Sequence, residues 1–146
     1  MRRVVVTGLG LLSSLGNGVK KTWDNLIDCK SGIKTITSFD TDDLPCKIAG
    51  FINSDNKDEN YFDPLEYFEN KDLKRNDRFI IYGLVAADQA ILDAGLDKIN
   101  DETKLRTGVT VGSGIGGLET IYNGSITLNT KGPRRISPFF IPSSLV

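Results

Sequence analysis

The sequence predicts an α/β fold, with a partial, mostly parallel sheet and crossover helices. Two β-rich runs and one long helix carry that reading. Val4-Val-Val-Thr7 is an uninterrupted β-branched run, the pattern of a strand buried on both faces, and Leu105–Val111 reads as a second strand. Each run leads through a glycine-rich loop into an amphipathic stretch. Between them a long apolar helix is expected from a cap at Asn76 or Asp77 to about Ala94. The order strand, helix, long helix, strand, helix needs crossovers between parallel strands.

Taken in order, the first strand is expected to begin almost at Met1. Gly8, Gly10, Ser13, Ser14, Gly16, Asn17 and Gly18 then form a loop rich in turn residues. Val19, Trp23, Leu26 and Ile27 recur at helical spacing, and the helix should stop near Lys30-Ser-Gly32. From Ile33 to Asn70 the pattern is irregular. Phe39–Asp43 reads as turn, Cys46–Ile52 as a short strand, Asn53–Asn60 as a polar surface loop and Pro64–Phe68 as one helical turn.

The long helix, ended by Gly95, has so few polar positions that it should be nearly surrounded. A last helix is expected over Leu118–Leu128, stopped by Lys131-Gly-Pro133. Pro142 opens a helical turn too short to stand by itself. No internal repeat or low-complexity segment is visible.

The length of 146 residues suits one domain with a real core and is short for two. Eighteen basic and nineteen acidic residues leave a net charge of −1, which offers no nucleic-acid footprint. The charge is uneven. Acids dominate Asp40–Glu69, whereas none follows Glu119 and Lys131, Arg134 and Arg135 form a basic patch. The sequence contains no histidine, which removes the commonest general base, the Ser-His and Cys-His constellations and every His-ligated zinc motif.

The two cysteines, Cys29 and Cys46, match no zinc or redox spacing. Cys29 falls at the C-terminal end of the first amphipathic helix, where the dipole disfavours a thiolate, and both are read as structural. The apolar start is broken by glycines and falls short of the ~18 residues of a membrane span. A soluble cytoplasmic protein with reduced thiols is expected, with no membrane partner.

The densest motif is Thr107-Gly-Val-Thr-Val-Gly-Ser-Gly-Ile-Gly-Gly-Leu118. Its glycines leave backbone amides bare between a strand end and a helix start, where a ligand or another backbone can approach. Gly112, Gly114 and Gly117 satisfy the spacing of a dinucleotide fingerprint. That fingerprint also needs an acid about 20 residues further on to hold a ribose, and only Glu119 follows. A tight turn packing backbone on backbone is the alternative reading of the same residues.

Four stretches together carry a resemblance. Val4-Val-Val-Thr-Gly-Leu-Gly10, Ser31-Gly-Ile33, Val111-Gly-Ser-Gly-Ile-Gly-Gly117 and Gly132-Pro-Arg-Arg-Ile-Ser-Pro-Phe-Phe140 occur in this order and at these spacings. From Arg2 to Val146 the chain resembles the β-ketoacyl-[acyl carrier protein] synthases. Ile115 and the Pro-Phe-Phe are most similar to the type II members of bacterial fatty-acid synthesis, and the related polyketide synthases share much of the rest.

The resemblance implies a thiolase-like fold, of which residues 1–146 form one incomplete N-terminal part. It also implies a homodimer in the full-length family and decarboxylative Claisen condensation, without metal or other cofactor. The partner implied is acyl carrier protein in its acyl and malonyl forms. Family chemistry uses a cysteine nucleophile at a helix N-terminus and two histidines around the malonyl thioester. None of these three has a match here, so the chain by itself is expected to be inactive.

Site residues implied by position are Ile115, Phe139 and Phe140 at the acyl pocket. Ile115 matches a gate, and Phe140, with Phe139 beside it, matches an aromatic that reaches across the dimer. Lys71, Lys74, Arg75, Arg134 and Arg135 match basic positions that dock the acidic carrier, with Glu69, Asp72 and Asp77 as opposing neighbours. Two other functions stay open: a non-catalytic carrier-binding partner, and a dinucleotide-binding domain. A sheet lacking later strands should leave an edge and an apolar face exposed, so self-association is expected.

Overall fold

The computed structural model describes residues 2–54 and 57–145. The N-terminal stretch leads into β1 (Leu12–Ser13), β2 (Gly16–Asn17), α1 (Val19–Ile27), β3 (Ile33–Thr35) and β4 (Ile48–Gly50). After a 3₁₀ turn at Pro64–Glu66 come α2 (Asn70–Leu73) and α3 (Arg78–Asp93). Then a 3₁₀ turn at Leu96–Lys98, α4 (Asp101–Leu105), α5 (Leu118–Lys131), a 3₁₀ turn at Pro133–Arg135 and α6 (Phe140–Ser144) complete the order. The chain divides into two compact units, Met1–Asp63 with Val85–Leu96, and Pro64–Leu84 with Asp97–Val146.

The first unit holds two antiparallel ladders, β1 with β2 and β3 with β4, in which Ile33 lies opposite Gly50 and Thr35 opposite Ile48. β4 falls within the strand expected over Cys46–Ile52, and β3 is its unforeseen partner. Asn25, on α1, is buried and fully used. Its Nδ2 donates to the Leu15 carbonyl at 2.6 Å and to Asn60 Oδ1 at 3.0 Å, while its Oδ1 accepts from Lys30 Nζ at 2.9 Å. Phe62 and Val85 are the buried apolar side chains of this unit among the described residues. Trp23 on α1 is 60% exposed.

Val4–Thr7 joins no ladder among the described residues and corrects the first expected strand. Its valines are exposed, Val4 at 93%. The residues that follow lie against the small side chains of α3: a Cβ on Gly10 would meet the Ala86 carbonyl oxygen and the Ala90 nitrogen. Leu9 N–H donates to Asp93 Oδ2 at 2.9 Å and Leu11 N–H to Gln89 Oε1 at 3.0 Å. Side chains of a helix thus supply acceptors that a neighbouring strand would otherwise provide.

The second expected strand, Leu105–Val111, also forms no ladder among the described residues. Leu105 closes α4, which Asn100 caps by accepting from the Thr103 amide at 2.8 Å. Thr107 Oγ1 donates back to the Thr103 carbonyl at 2.7 Å, holding the start of the run to the helix instead of a sheet. Val109 and Val111 are exposed. The ladders present are therefore antiparallel and short, and the parallel layer expected from the sequence is not formed by these residues. An isolated parallel bridge joins Asn53 to Tyr61, beside the polar loop, of which Asp55 and Asn56 lie outside the described residues.

Helices match expectation more closely. α1 has the expected bounds, although Cys29 lies just beyond it, exposed and at φ 56°. Cys46 is exposed as well, so neither thiol is a packed core residue. In α3 Ile81 and Val85 are buried, but Leu84, Ile91 and Leu92 are exposed, which corrects the expectation that this helix is nearly surrounded. α6 stands despite its five residues because it packs on the start of α5, as described below.

With Leu105 at 89% and Val109 at 87% exposed, and few apolar side chains buried, the chain presents much open β-branched and aliphatic surface. Light scattering of the purified chain should show a mass that rises with concentration. A monodisperse monomer across the concentration series would contradict this.

Candidate functional site

The second unit contains an anchor that orients its helices. Asp77 begins α3, its carbonyl accepting from the Ile80 amide at 3.1 Å and its Oδ1 from the Phe79 amide at 3.4 Å. Its Oδ2 reaches the start of α5, accepting from the Thr120 amide at 2.9 Å and from Thr120 Oγ1 at 2.7 Å. One carboxylate therefore faces the positive ends of two helices. Alongside it Arg78 Nε donates to Glu119 Oε2 at 2.7 Å, a bond that raises the guanidinium pKa further above its ordinary value. Burial pushes the Tyr82 phenol upward.

The glycines before α5 approach protein backbone. Gly116 lies at φ 87°, in the left-handed region. Gly117 N–H donates to the Ser144 carbonyl at 3.1 Å, and a Cβ there would stand 2.7 Å from Ser144 Cα. Gly116 N–H is engaged by Ser113 Oγ at 3.0 Å and Leu118 N–H by the Gly116 carbonyl at 2.9 Å. With Thr120 N–H on Asp77, these amides have partners already. A phosphate at this helix start would have to displace a carboxylate and a carbonyl.

Between α3 and α5 of this unit lies a cleft of about 440 Å³. Lys74, Arg75 and Arg135 line it together with Phe139 and Phe140. The acids on its wall are engaged elsewhere, Asp77 with the helix starts and Glu119 with Arg78. Among the described residues Lys74, Arg75 and Arg135 form no ion pair. The Arg75 guanidinium carbon lies 4.8 Å from the centroid of the Phe139 ring, within cation–π range. The Phe140 ring covers Gly124 of α5 so closely that a Cβ there would run into it.

Five of the residues singled out from the sequence thus meet in one place: Lys74, Arg75, Arg135, Phe139 and Phe140. Lys71 stands apart, paired with Glu69 at 2.7 Å, and Arg134 is exposed on the turn before α6. Ile115 is not part of the cleft wall and is 72% exposed. The sequence reading missed the small polar wall formed by Thr120, Asn123, Gly124 and Thr127. Their spacing of three, four and seven residues marks one helical face and was the available signal.

Comparison with known proteins gives the family of the chain. The family model described as Beta-ketoacyl synthase, N-terminal domain, matches residues 1–145. The chain is 45% identical over 146 residues to the 3-oxoacyl-[acyl-carrier-protein] synthase 2 of Rhizobium meliloti (strain 1021), covering 100% of this chain and 35% of that protein. It is 46% identical over 145 residues to the protein of the same name from Vibrio cholerae serotype O1, covering 99% of this chain and 33% of the relative. A solved structure titled the ishigamide ketosynthase/chain length factor is similar with a TM-score of 0.74 at 27% identity, over 99% of this chain and 34% of that one. The chain spans about a third of the length of these curated relatives, along which its fold is that of the thiolase-like ketosynthases. It belongs to the β-ketoacyl synthase family, matching that family's N-terminal domain.

Proposed function

We propose that this chain supplies the carrier-docking cleft and part of the acyl-pocket wall of a type II 3-oxoacyl-[acyl carrier protein] synthase, an acyltransferase of fatty-acid elongation in the cytoplasm. The observation that carries the reading is the meeting of Lys74, Arg75 and Arg135 with Phe139 and Phe140 in one cleft whose acids are already engaged. The names of the relatives support acyl carrier protein as the partner. An acidic carrier is steered by exposed cations whose neighbouring carboxylates are already engaged, and such steering raises the association rate most. Lys71 and Arg134 add charge at the margin.

The reaction is a decarboxylative Claisen condensation. A malonyl thioester loses carbon dioxide, its carbanion attacks the carbonyl of an enzyme-bound acyl thioester, and the enzyme thiolate leaves. The nucleophile and the charge-stabilising histidines have no counterpart in this sequence, which contains no histidine. Cys29 and Cys46 are exposed, and Cys29 follows the C-terminal end of α1 and does not stand at a helix N-terminus. The chain alone is therefore inactive in condensation. Ile115, Phe139 and Phe140 contribute to the acyl pocket of the homodimeric enzyme.

A non-catalytic carrier-binding protein would use the same cleft, and condensing activity in the longest natural form of the protein separates the two readings. The test of the shared part is binding of acyl carrier protein to this chain. Binding should weaken steeply between about 50 and about 500 mM salt, as expected for exposed charges. The double substitution Lys74→Glu and Arg75→Glu should lower affinity at least about ten-fold. Salt-insensitive binding, or a charge-reversed variant that binds as well as the wild type, would sink the docking assignment.

A further inference from the structure

The Arg75–Phe139 contact gives an aromatic residue a role beyond lining an acyl pocket. Arg75 is exposed and follows the short helix α2, and among the described residues its side chain pairs with no carboxylate. A free arginine of this kind loses rotamer entropy when it binds an anion. The Phe139 ring, 4.8 Å from the guanidinium carbon, is the group that limits this freedom.

The ring itself sits on anchored backbone. Phe139 N–H donates to Ser137 Oγ at 3.1 Å, and its carbonyl accepts from the Ser143 amide at 2.9 Å. Ser143 is buried. Stacking uses the face of a guanidinium and leaves its N–H edges open, which are the edges that grip carboxylate or phosphate oxygens in pairs. Phe139 is also 40% exposed, so a good part of its ring is not enclosed by apolar neighbours.

We propose that Phe139 is a positioning residue for anion binding: its ring holds the Arg75 guanidinium flat so that the N–H edges face the cleft shared with Lys74 and Arg135. The inference rests on the docking reading only for the identity of the anion, the acidic surface of acyl carrier protein. The anion chemistry itself follows from the three cations and the guanidinium held over the ring.

The experiment compares two probes, acyl carrier protein and inorganic pyrophosphate, on the wild-type chain and on Phe139→Leu, Phe139→Trp and Arg75→Gln. Phe139→Leu keeps every charge, so the salt dependence should keep its slope while affinity for both probes falls about two- to five-fold, the range of an exposed cation–π contact. Phe139→Trp, with the better ring for a cation, should restore or exceed wild-type affinity. In the Arg75→Gln background Phe139→Leu should change nothing further, because the ring acts through the guanidinium.

A ring that merely fills space would not give the tryptophan rescue or the lost effect in the double variant. Unchanged binding of both probes by Phe139→Leu overturns the proposal while carrier binding by the wild type keeps the docking reading. Loss of the carrier interaction alone, with ring-dependent pyrophosphate binding intact, sinks the docking reading and upholds Phe139 as positioner. Binding of neither probe overturns both. Should Phe139→Leu fail to fold, Phe139→Trp decides: equal or tighter binding upholds the role, and weaker binding overturns it.

Discussion

Replacing Asp77 with alanine should destabilise the second unit by about 2–4 kcal/mol, the sum of a lost helix cap and a lost charge-assisted bond to a second helix. The carboxylate accepts from Phe79 N–H on α3, and from Thr120 N–H and Thr120 Oγ1 on α5. Alanine leaves the Thr120 amide without its acceptor at a half-buried position and removes the negative charge from both positive helix ends. Hydrogen exchange at the Thr120 amide is the sharpest readout, and it should accelerate by about 30- to 1000-fold, the equilibrium equivalent of that loss. Asp77→Asn keeps one carbonyl oxygen for Thr120 and should lose about half as much. An exchange rate within about three-fold of wild type in the alanine variant would mean that Asp77 is not the tie between α3 and α5.

Gly10→Ala should lower stability of the first unit by about 1–3 kcal/mol, as expected when a methyl group is forced into occupied space. The added Cβ would run into the Ala86 carbonyl oxygen and stand 2.7 Å from the Ala90 nitrogen, both of them helix backbone that cannot turn aside. The N-terminal stretch must then lift from α3, breaking the bonds of Leu9 to Asp93 and of Leu11 to Gln89. Urea unfolding followed by circular dichroism should show the lower midpoint, and the Leu9 and Leu11 amides should exchange faster. Gly112→Ala is the matched control, because nothing stands within 4 Å of the Cβ it would add. Equal effects from the two substitutions would refute the close approach at Gly10.

These residues also show how far the sequence could be read. Periodicity gave α1 and α5 to within a few residues, because an amphipathic stripe and a glycine stop are local. The Asp77 cap of α3 was legible for the same reason. Its second bond, to Thr120, joins residues 43 positions apart and left no local mark. Val4–Thr7 and Leu105–Val111 have the composition of strands, yet a strand is a property of a pair, and no ladder partner is present among the described residues.

The site divides in the same way. Arg134 and Arg135 stand out as a basic patch, and the spaced motifs marked Phe139, Phe140 and Ile115. Nothing in the sequence shows that the Arg75 guanidinium lies over the Phe139 ring, because the two residues are far apart in the chain and meet only in the folded unit. Nor does the glycine run announce that its own partner is the backbone of Ser144. The motif reads the same whether its amides face a phosphate or a carbonyl, and only the packing of α6 separates the two.

Trp23, the single tryptophan of the chain, lies on α1 in the first unit and is largely open to solvent. The chain therefore carries a tryptophan label on one unit and none on the other. Quenching by iodide reports the surroundings of α1 alone, and energy transfer from a dye placed at an exposed site on α5 would report the span between the units in solution without any added donor.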